Sequence, residues 1–328
     1  MKALTLLFRS KKRNEHSVEN AFANIEPFLK KEYIVNNEYL PEDKYLSPTK
    51  FIKNVFFTLC IKGDIIHITG ENYFCACFTP KKKTILTVLD YVALERMTGV
   101  SKFLDWLLMY YIPIKRSRYV TCISNKIYED TIEKFPWCKN KTKMVPVSIS
   151  DDYQYVPKEF NKNKPTILVV GSNPNKNITR IIQALSDVTC KLDIVGKVSE
   201  EQIMLMNELG IEYQNSFNIS NEEILKHYHQ CDMLCFASTY EGFGMPIVEA
   251  QAVGRPVVTS NIEPMRSVSG EAACLVDPLS VESIHTGIIR VIQDDLYREE
   301  LINNGQYNCK KYRNEAIAKE YISIYQKV

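Results

Sequence analysis

The 328 residues exceed one ordinary hydrophobic core and suit two domains of roughly 150 residues each. With 45% hydrophobic and 24% charged residues the chain reads as globular, and no run reaches the roughly 18 apolar residues of a membrane span. The net charge of +2 hides an asymmetry: residues 1–160 carry 25 Lys and Arg against 18 Asp and Glu, residues 161–328 carry 16 against 21. Basic clusters at Lys11–Arg13, Lys81–Lys83, Lys115, Arg116 and Arg118, and Lys139, Lys141 and Lys143 suit either a solvated face or attraction to an anionic membrane or phosphate-bearing acceptor. No recognition motif accompanies that charge, so nucleic acid is not expected as a partner. Ten cysteines without C-x-x-C spacing, Cys231 and Cys235 among them in apolar runs, read as free thiols and point to the cytoplasm.

In chain order, apolar runs predict strands at Ala3–Phe8, Asp64–Thr69, Thr84–Leu89 and Tyr119–Ile123, with helices at Val18–Leu29 and Lys102–Ile112. Trp106–Ile112, just before Lys115 and Arg116, suits a membrane-docking helix or a core helix. A polar linker spans Ser150–Lys164. Beyond it strands at Thr166–Gly171, Lys191–Val195, Ile211–Gln214, Met233–Ala237, Pro256–Ser260 and Cys274–Val276 alternate with helices at Ile178–Ser186, Glu200–Leu209, Asn221–Gln230 and Pro246–Val253. Ser220 with Glu223 forms a capping box. Such alternation predicts doubly wound parallel α/β sheets. Helical patterns run from Val281 to the end and include Asn314–Tyr325.

Two stretches carry chemistry. Ser238–Ala250 (S-T-Y-E-G-F-G-M-P-I-V-E-A) places Glu241 at the carboxyl end of a strand and Glu249 about two turns into the next helix. Gly242 and Gly244 let backbone approach a ligand, and the amides opening the helix are free to donate, which suits a polyhydroxylated anion. Leu168–Arg180 likewise runs from strand to helix through Gly171, with Lys176 positioned to add positive charge for a phosphate group. Asp151-Asp152 and Asp294-Asp295 lack a D-x-D form, and the histidines and cysteines lack ligand spacing. Neither a metal nor another cofactor is expected.

The spacing and the E-G-F-G-x-P stretch resemble the E-x7-E signature of the family four retaining glycosyltransferases. That resemblance implies the α/β GT-B fold: two Rossmann-like doubly wound domains facing a cleft, with a C-terminal helix returning to the first. The implied division is residues 1–155 for the acceptor, 156–310 for the nucleotide-sugar donor and 311–328 for the returning helix. It implies a catalytic role for Glu241 beside the donor sugar, donor contacts from Gly242, Phe243, Gly244 and Met245, and ribose contacts from Glu249. Gly171 and Lys176 fall on the family's phosphate-binding stretch; its usual basic partner is absent, with Arg180 a candidate substitute. Phe217–Ser220 resembles the segment that meets the nucleobase, and Val257–Pro278 the stretch after E-x7-E.

In the amino half, Asp64–Gly70 and Ile85–Asp90 resemble the family's D-x-x-H and L-T-x-H-D strands. Asp90 is thus an acceptor-side candidate, and His67 either an acceptor-side contact or a satisfied histidine at a strand end; Leu89 replaces the histidine that usually contacts the donor sugar. Arg9–Ser17, including His16, holds basic residues where the family often has glycines. The resemblance implies a retaining, metal-independent hexosyltransferase. It would move sugar from a nucleotide-diphosphate sugar to a glycan or lipid-linked acceptor in bacterial surface polysaccharide or lipopolysaccharide assembly. Its station would be cytoplasmic, with peripheral contact at the inner membrane surface. The alternative is a non-catalytic nucleotide-sugar-binding or scaffold subunit.

Overall fold

The computed structural model describes residues 1–12, 17–43, 47–92, 94 and 98–328; Arg13 and His16 of the basic amino-terminal loop lie outside the described residues. The chain divides into two compact units, residues 1–148 with 314–328, and residues 149–313.

The first unit is built on six parallel strands: β1 (Lys2–Phe8), β2 (Tyr33–Tyr39), β3 (Ile65–Ile68), β4 (Thr84–Val88), β5 (Tyr119–Cys122) and β6 (Thr142–Met144). Their order is β2-β1-β3-β4-β5-β6. β3 and β4 are buried at every position, as strands covered on both faces must be. The helices are α1 (Ser17–Leu29), α2 (Pro48–Leu59), α3 (Gly99–Asp105), α4 (Ile112–Arg116) and α5 (Asn125–Lys134). The single helix expected at Lys102–Ile112 is α3 and α4 joined through a π-helical segment, Trp106–Tyr111. Strands β2 and β6 and helices α2 and α5 were not expected. β2 is an edge strand carrying Asn36, Asn37 and Glu38, and polar residues of this kind are poor strand signals.

The second unit holds β7 (Thr166–Val170), β8 (Lys191–Val195), β9 (Glu212–Ser216), β10 (Met233–Phe236), β11 (Val257–Ser260) and β12 (Cys274–Val276). Between them run α6 (Ile178–Ala184), α7 (Glu200–Glu208), α8 (Asn221–Gln230), α9 (Met245–Ala252) and α10 (Met265–Ser269). Then follow α11 (Val281–Gln293) and α12 (Asp295–Asn308). Strand order is β12-β11-β10-β7-β8-β9, all parallel, so the direction of winding reverses between β7 and β10. The side chains of Ile167, Val169, Ile194, Met233 and Cys235 fill the core beneath that point. Ser220 and Glu223 exchange both capping-box bonds, and Ser199 with Gln202 forms a second box at α7.

The last helix, α13 (Asn314–Tyr325), belongs to the first unit. It packs beside α1, with the rings of Phe22 and Tyr321 5.3 Å apart. Ile317, Ala318, Tyr321, Ile324 and Tyr325 share one core cluster with Leu4, Leu6 and Ile65.

Candidate functional site

Ligands of open parallel sheets bind outside the carboxyl ends of the strands where winding reverses. In the second unit that point is flanked by the loops after β7 and β10, which carry both sequence-predicted motifs.

The loop after β7 turns at Gly171, whose φ is +94°. A Cβ there would stand 2.6 Å from Lys176 Cε, so only glycine lets the lysine stem fold over this turn. Pro174–Lys176 forms a short 3-10 turn. Asn177 follows in the left-handed region and, buried, donates from Nδ2 to the carbonyls of Ala237 at 3.0 Å and Pro278 at 2.6 Å. Arg180 donates to Asn177 Oδ1 at 2.9 Å. Arg180 thus braces the asparagine that ties this loop to its neighbours. Asn177 itself gives little sign of this in the sequence; the signal is a single polar residue just before an apolar helix.

Further hydrogen bonds join the β7 and β10 loops, among them Thr239 N to Asn175 O at 2.8 Å and Asn175 Nδ2 to Tyr240 O at 2.8 Å. Beyond them Gly244 takes φ +107° to open α9. Phe243 is buried edge-on against Tyr312 at 5.5 Å, so its ring anchors the turn and leaves only its backbone for a ligand. Met245 begins α9 half-buried.

Glu241 and Lys176 meet here: Nζ lies 2.6 Å from Oε1, and both side chains are largely sheltered. Asn175 Nδ2 is 3.3 Å from the same oxygen. Lys176 Nζ also sits 4.6 Å from the centroid of the Phe236 ring, a cation–π contact at the end of β10.

Glu249, two turns along α9, is half-buried and accepts a hydrogen bond at Oε2 from the Tyr228 hydroxyl, 2.7 Å away. The phenol of Tyr153, from the segment before β7, also acts on this carboxylate. Burial pushes its pKa up to about 7, against the lowering effects of Tyr228, the Lys176 charge and Tyr153. Neither tyrosine is foreseeable from the sequence, because phenols distant along the chain give no local signal. Arg255, 3% exposed, fixes this arrangement by donating to the carbonyls of Tyr228 at 3.1 Å, His229 at 2.9 Å and Val156 at 2.9 Å.

At the weakly assigned segment Phe217–Ser220, Ser220 is consumed by its helix cap while the Phe217 ring is exposed. Asp294 caps α12, and Asp295 pairs with Arg298 and Lys162. Among the described residues no three His, Cys, Asp or Glu side chains cluster as metal ligands would.

In the first unit His67 has the surroundings of a satisfied core histidine. Its ring lies fully buried in β3, with Nδ1 2.7 Å from the Tyr325 hydroxyl and Nε2 2.7 Å from Thr87 Oγ1. Both nitrogens are used internally, and burial lowers the pKa to about 3, so His67 serves the core and not an acceptor. Asp90, half-buried just past β4, accepts from the amide of Val92 at 3.0 Å, and Leu89 N donates to the Tyr73 hydroxyl at 2.8 Å. Lys141 is one basic residue with a structural role. Its Nζ donates to the carbonyls of Ile114 at 2.5 Å and Ser117 at 2.8 Å, closing the end of α4.

Comparison with known proteins places this geometry. The computed fold resembles that of HepE from Anabaena in complex with UDP and glucose (TM-score 0.76, 13% identity, 99% of each chain covered). It also resembles WaaG, a glycosyltransferase involved in lipopolysaccharide biosynthesis (TM-score 0.71, 13% identity, 98% of this chain and 99% of that one). The architecture is that of the GT-B α/β class. Residues 154–307 match the family described as glycosyl transferases group 1. O-antigen chain mannosyltransferase B of Escherichia coli is 33% identical over 108 residues, 33% of this chain and 28% of the relative. The MMP alpha-(1->4)-mannosyltransferase of Mycolicibacterium hassiacum is 25% identical over 218 residues, 62% of this chain and 53% of the relative. The chain thus spans about a quarter to a half of the length of these relatives.

Proposed function

We propose that the protein transfers a hexose from a nucleotide-diphosphate sugar to an acceptor hydroxyl with retention of anomeric configuration. The observation that carries this reading is the meeting of Lys176 and Glu241 at the reversal point of the second sheet, 2.6 Å apart, with Glu249 in the helix that follows. In this reading Lys176 and the amides of Gly242–Met245 take the leaving diphosphate, so no metal is needed. Glu249 accepts from the ribose hydroxyls. Glu241 orients the sugar and steadies the positive charge that develops at its anomeric carbon. The acceptor attacks from the face the diphosphate leaves, and the acceptor's proton passes to the departing phosphate oxygen.

The names of the relatives favour a mannosyl or glucosyl donor and a glycan or lipid-linked acceptor in surface polysaccharide assembly, at a cytoplasmic station. Asp90 stays the acceptor-side candidate of the first unit. Incubation with UDP-, GDP- and ADP-sugars, with release of nucleoside diphosphate and the anomeric configuration of the product as readouts, tests the proposal. An inverted product would overturn the retaining mechanism.

A second reading, a nucleotide-sugar-binding subunit without turnover, draws on Leu89 at the position of the family's histidine. Donor binding in a thermal-shift screen with no diphosphate released, across a full acceptor panel, would favour it.

A further inference from the structure

Helix α8 lies lightly on the second sheet, with Tyr228 its one buried residue. Little apolar packing is therefore available to set the rotation of this helix about its axis. Two consecutive side chains of its last turn make polar contacts that do. Tyr228 reaches α9, its hydroxyl donating to Glu249 Oε2 at 2.7 Å. His227 faces the sheet, with Nδ1 2.6 Å from Oδ2 of Asp193 in the middle of β8.

Asp193 stands where apolar side chains usually stand. It is fully buried and lies in register with the buried Leu168 of β7. Among the described residues its Oδ1 has no hydrogen-bond partner, while Oδ2 is held by His227. A buried polar pair of this kind adds little stability over apolar side chains of the same shape. What it adds is direction. A rotation that parted the imidazole from Asp193 would leave a desolvated carboxyl group unanswered, which is strongly unfavourable.

Neighbouring helical residues project about 100° apart, so the contact that turns His227 toward β8 also aims Tyr228 at α9. At about 6 Å from the helix axis a turn of about 10° moves an atom roughly 1 Å. That is enough to break the 2.7 Å bond to Glu249. Arg255 holds the carbonyls of Tyr228 and His229, which fixes where the helix ends. His227 fixes which way its last turn faces.

We propose that Asp193 and His227 are positioning residues for the donor site: their bond sets the rotation of α8 and so keeps the Tyr228 hydroxyl on Glu249. The effect on the donor rests on Glu249 being the ribose contact; the effect on the contact between Tyr228 and Glu249 does not. Two measurements on the intact chain keep these apart.

The first is the pH titration of the Glu249 side-chain carboxyl by carbon-13 resonance, assigned by its loss in Glu249→Gln. Its midpoint is about 7, set by burial and by Tyr228, the Lys176 charge and Tyr153. Asp193→Leu/His227→Leu removes both partners together, so the melting temperature should stay within about 4 °C of the wild type. The Glu249 midpoint should nevertheless rise by roughly half to one unit, the worth of one hydrogen bond. Removing a neighbouring carboxylate would by itself lower the midpoint, so the sign separates a lost bond from a lost charge. Asp193→Asn, whose amide oxygen still accepts from Nδ1, should keep the wild-type midpoint. In a Tyr228→Phe background the double substitution should shift it no further. His227→Leu alone, at the less buried side of the pair, gives the same readout should the double variant fail to fold.

The second measurement is the KM for UDP-glucose and for GDP-mannose, which should rise about 3–10-fold in the double variant with kcat within about two-fold. A midpoint that rises while KM stays unchanged would keep the positioning role and remove Glu249 from the ribose. A midpoint that does not rise, or that rises equally in the Tyr228→Phe background, overturns the proposal whatever the KM.

Discussion

Lys176 and Glu241 neutralise one another across 2.6 Å at the mouth of the second sheet. An arriving diphosphate must compete with Glu241 for the ammonium group, and the lysine stem, held over Gly171, can turn without moving the loop. Lys176→Met should therefore weaken nucleoside diphosphate binding by about 10–100-fold, the worth of one charge-assisted bond, and leave the free nucleoside unaffected. Calorimetric titration with both ligands checks it; equal losses would mean that Lys176 does not meet phosphate.

Substituting the partner separates binding from chemistry. Glu241→Gln keeps the shape and removes the charge proposed to steady the sugar. Turnover should fall on the order of 100-fold, with the dissociation constant of the nucleotide sugar changing by less than about ten-fold. A large loss of donor affinity with normal kcat would reassign Glu241 to binding alone.

If Glu249 holds the ribose as proposed, donor binding is linked to pH. Its folded pKa is about 7 against an ordinary 4.5, so the folded chain holds a proton that the unfolded chain has released. Stability from this group is complete below about pH 4.5 and is lost as pH rises through about 7. Glu249→Gln should then raise the melting temperature at pH 8, by an amount reflecting roughly 1–3 kcal/mol, and change little at pH 4. The same variant should bind nucleotide sugar more weakly at pH 8. Tyr228→Phe removes a bond that lowers this pKa, so the midpoint of donor binding against pH should move upward.

His67 gives the opposite slope from the first unit. Its folded pKa is about 3 against an ordinary 6.5, so the unfolded chain takes up a proton that the folded chain refuses. That stability is complete above about pH 6.5 and is lost as pH falls toward 3. His67→Leu should flatten this acid limb in urea titrations and cost about 1–3 kcal/mol at pH 7, because the Tyr325 hydroxyl loses its partner while Thr87 keeps Thr121. An acceptor KM that rises sharply in the folded variant would restore His67 to the acceptor side.

What could be read from the chain followed the physics of each half. β7, β10 and α8 fall where apolar runs and a capping box put them, since central parallel strands advertise themselves by nearly unbroken hydrophobicity. The carboxylates and the lysine were legible because glycines at forced backbone angles flank them in local sequence. Tyr228, Tyr153 and Asn177 were not, because their roles exist only after distant segments meet. Helix α2 escaped for another reason: apolar residues fall on several sides of it, and its most protected positions are polar. His67 was legible only as a choice between ligand contact and satisfied core histidine, because its partner hydroxyl comes from the far end of the chain.

That far end has a consequence for the order of biosynthesis. Tyr321 and Tyr325 of α13 complete the core around His67, Phe22 and Tyr33, yet they emerge after all 165 residues of the second unit, 149–313. The second unit is contiguous and can close as it is made, whereas the first waits, with an apolar seam open, for the last twelve residues of helix. A chain cut after Arg313 should retain hydrogen-exchange protection in β7–β12 and lose it in β1 and β3. Equal protection in both sheets would show that the amino-terminal unit closes without its carboxyl-terminal helix.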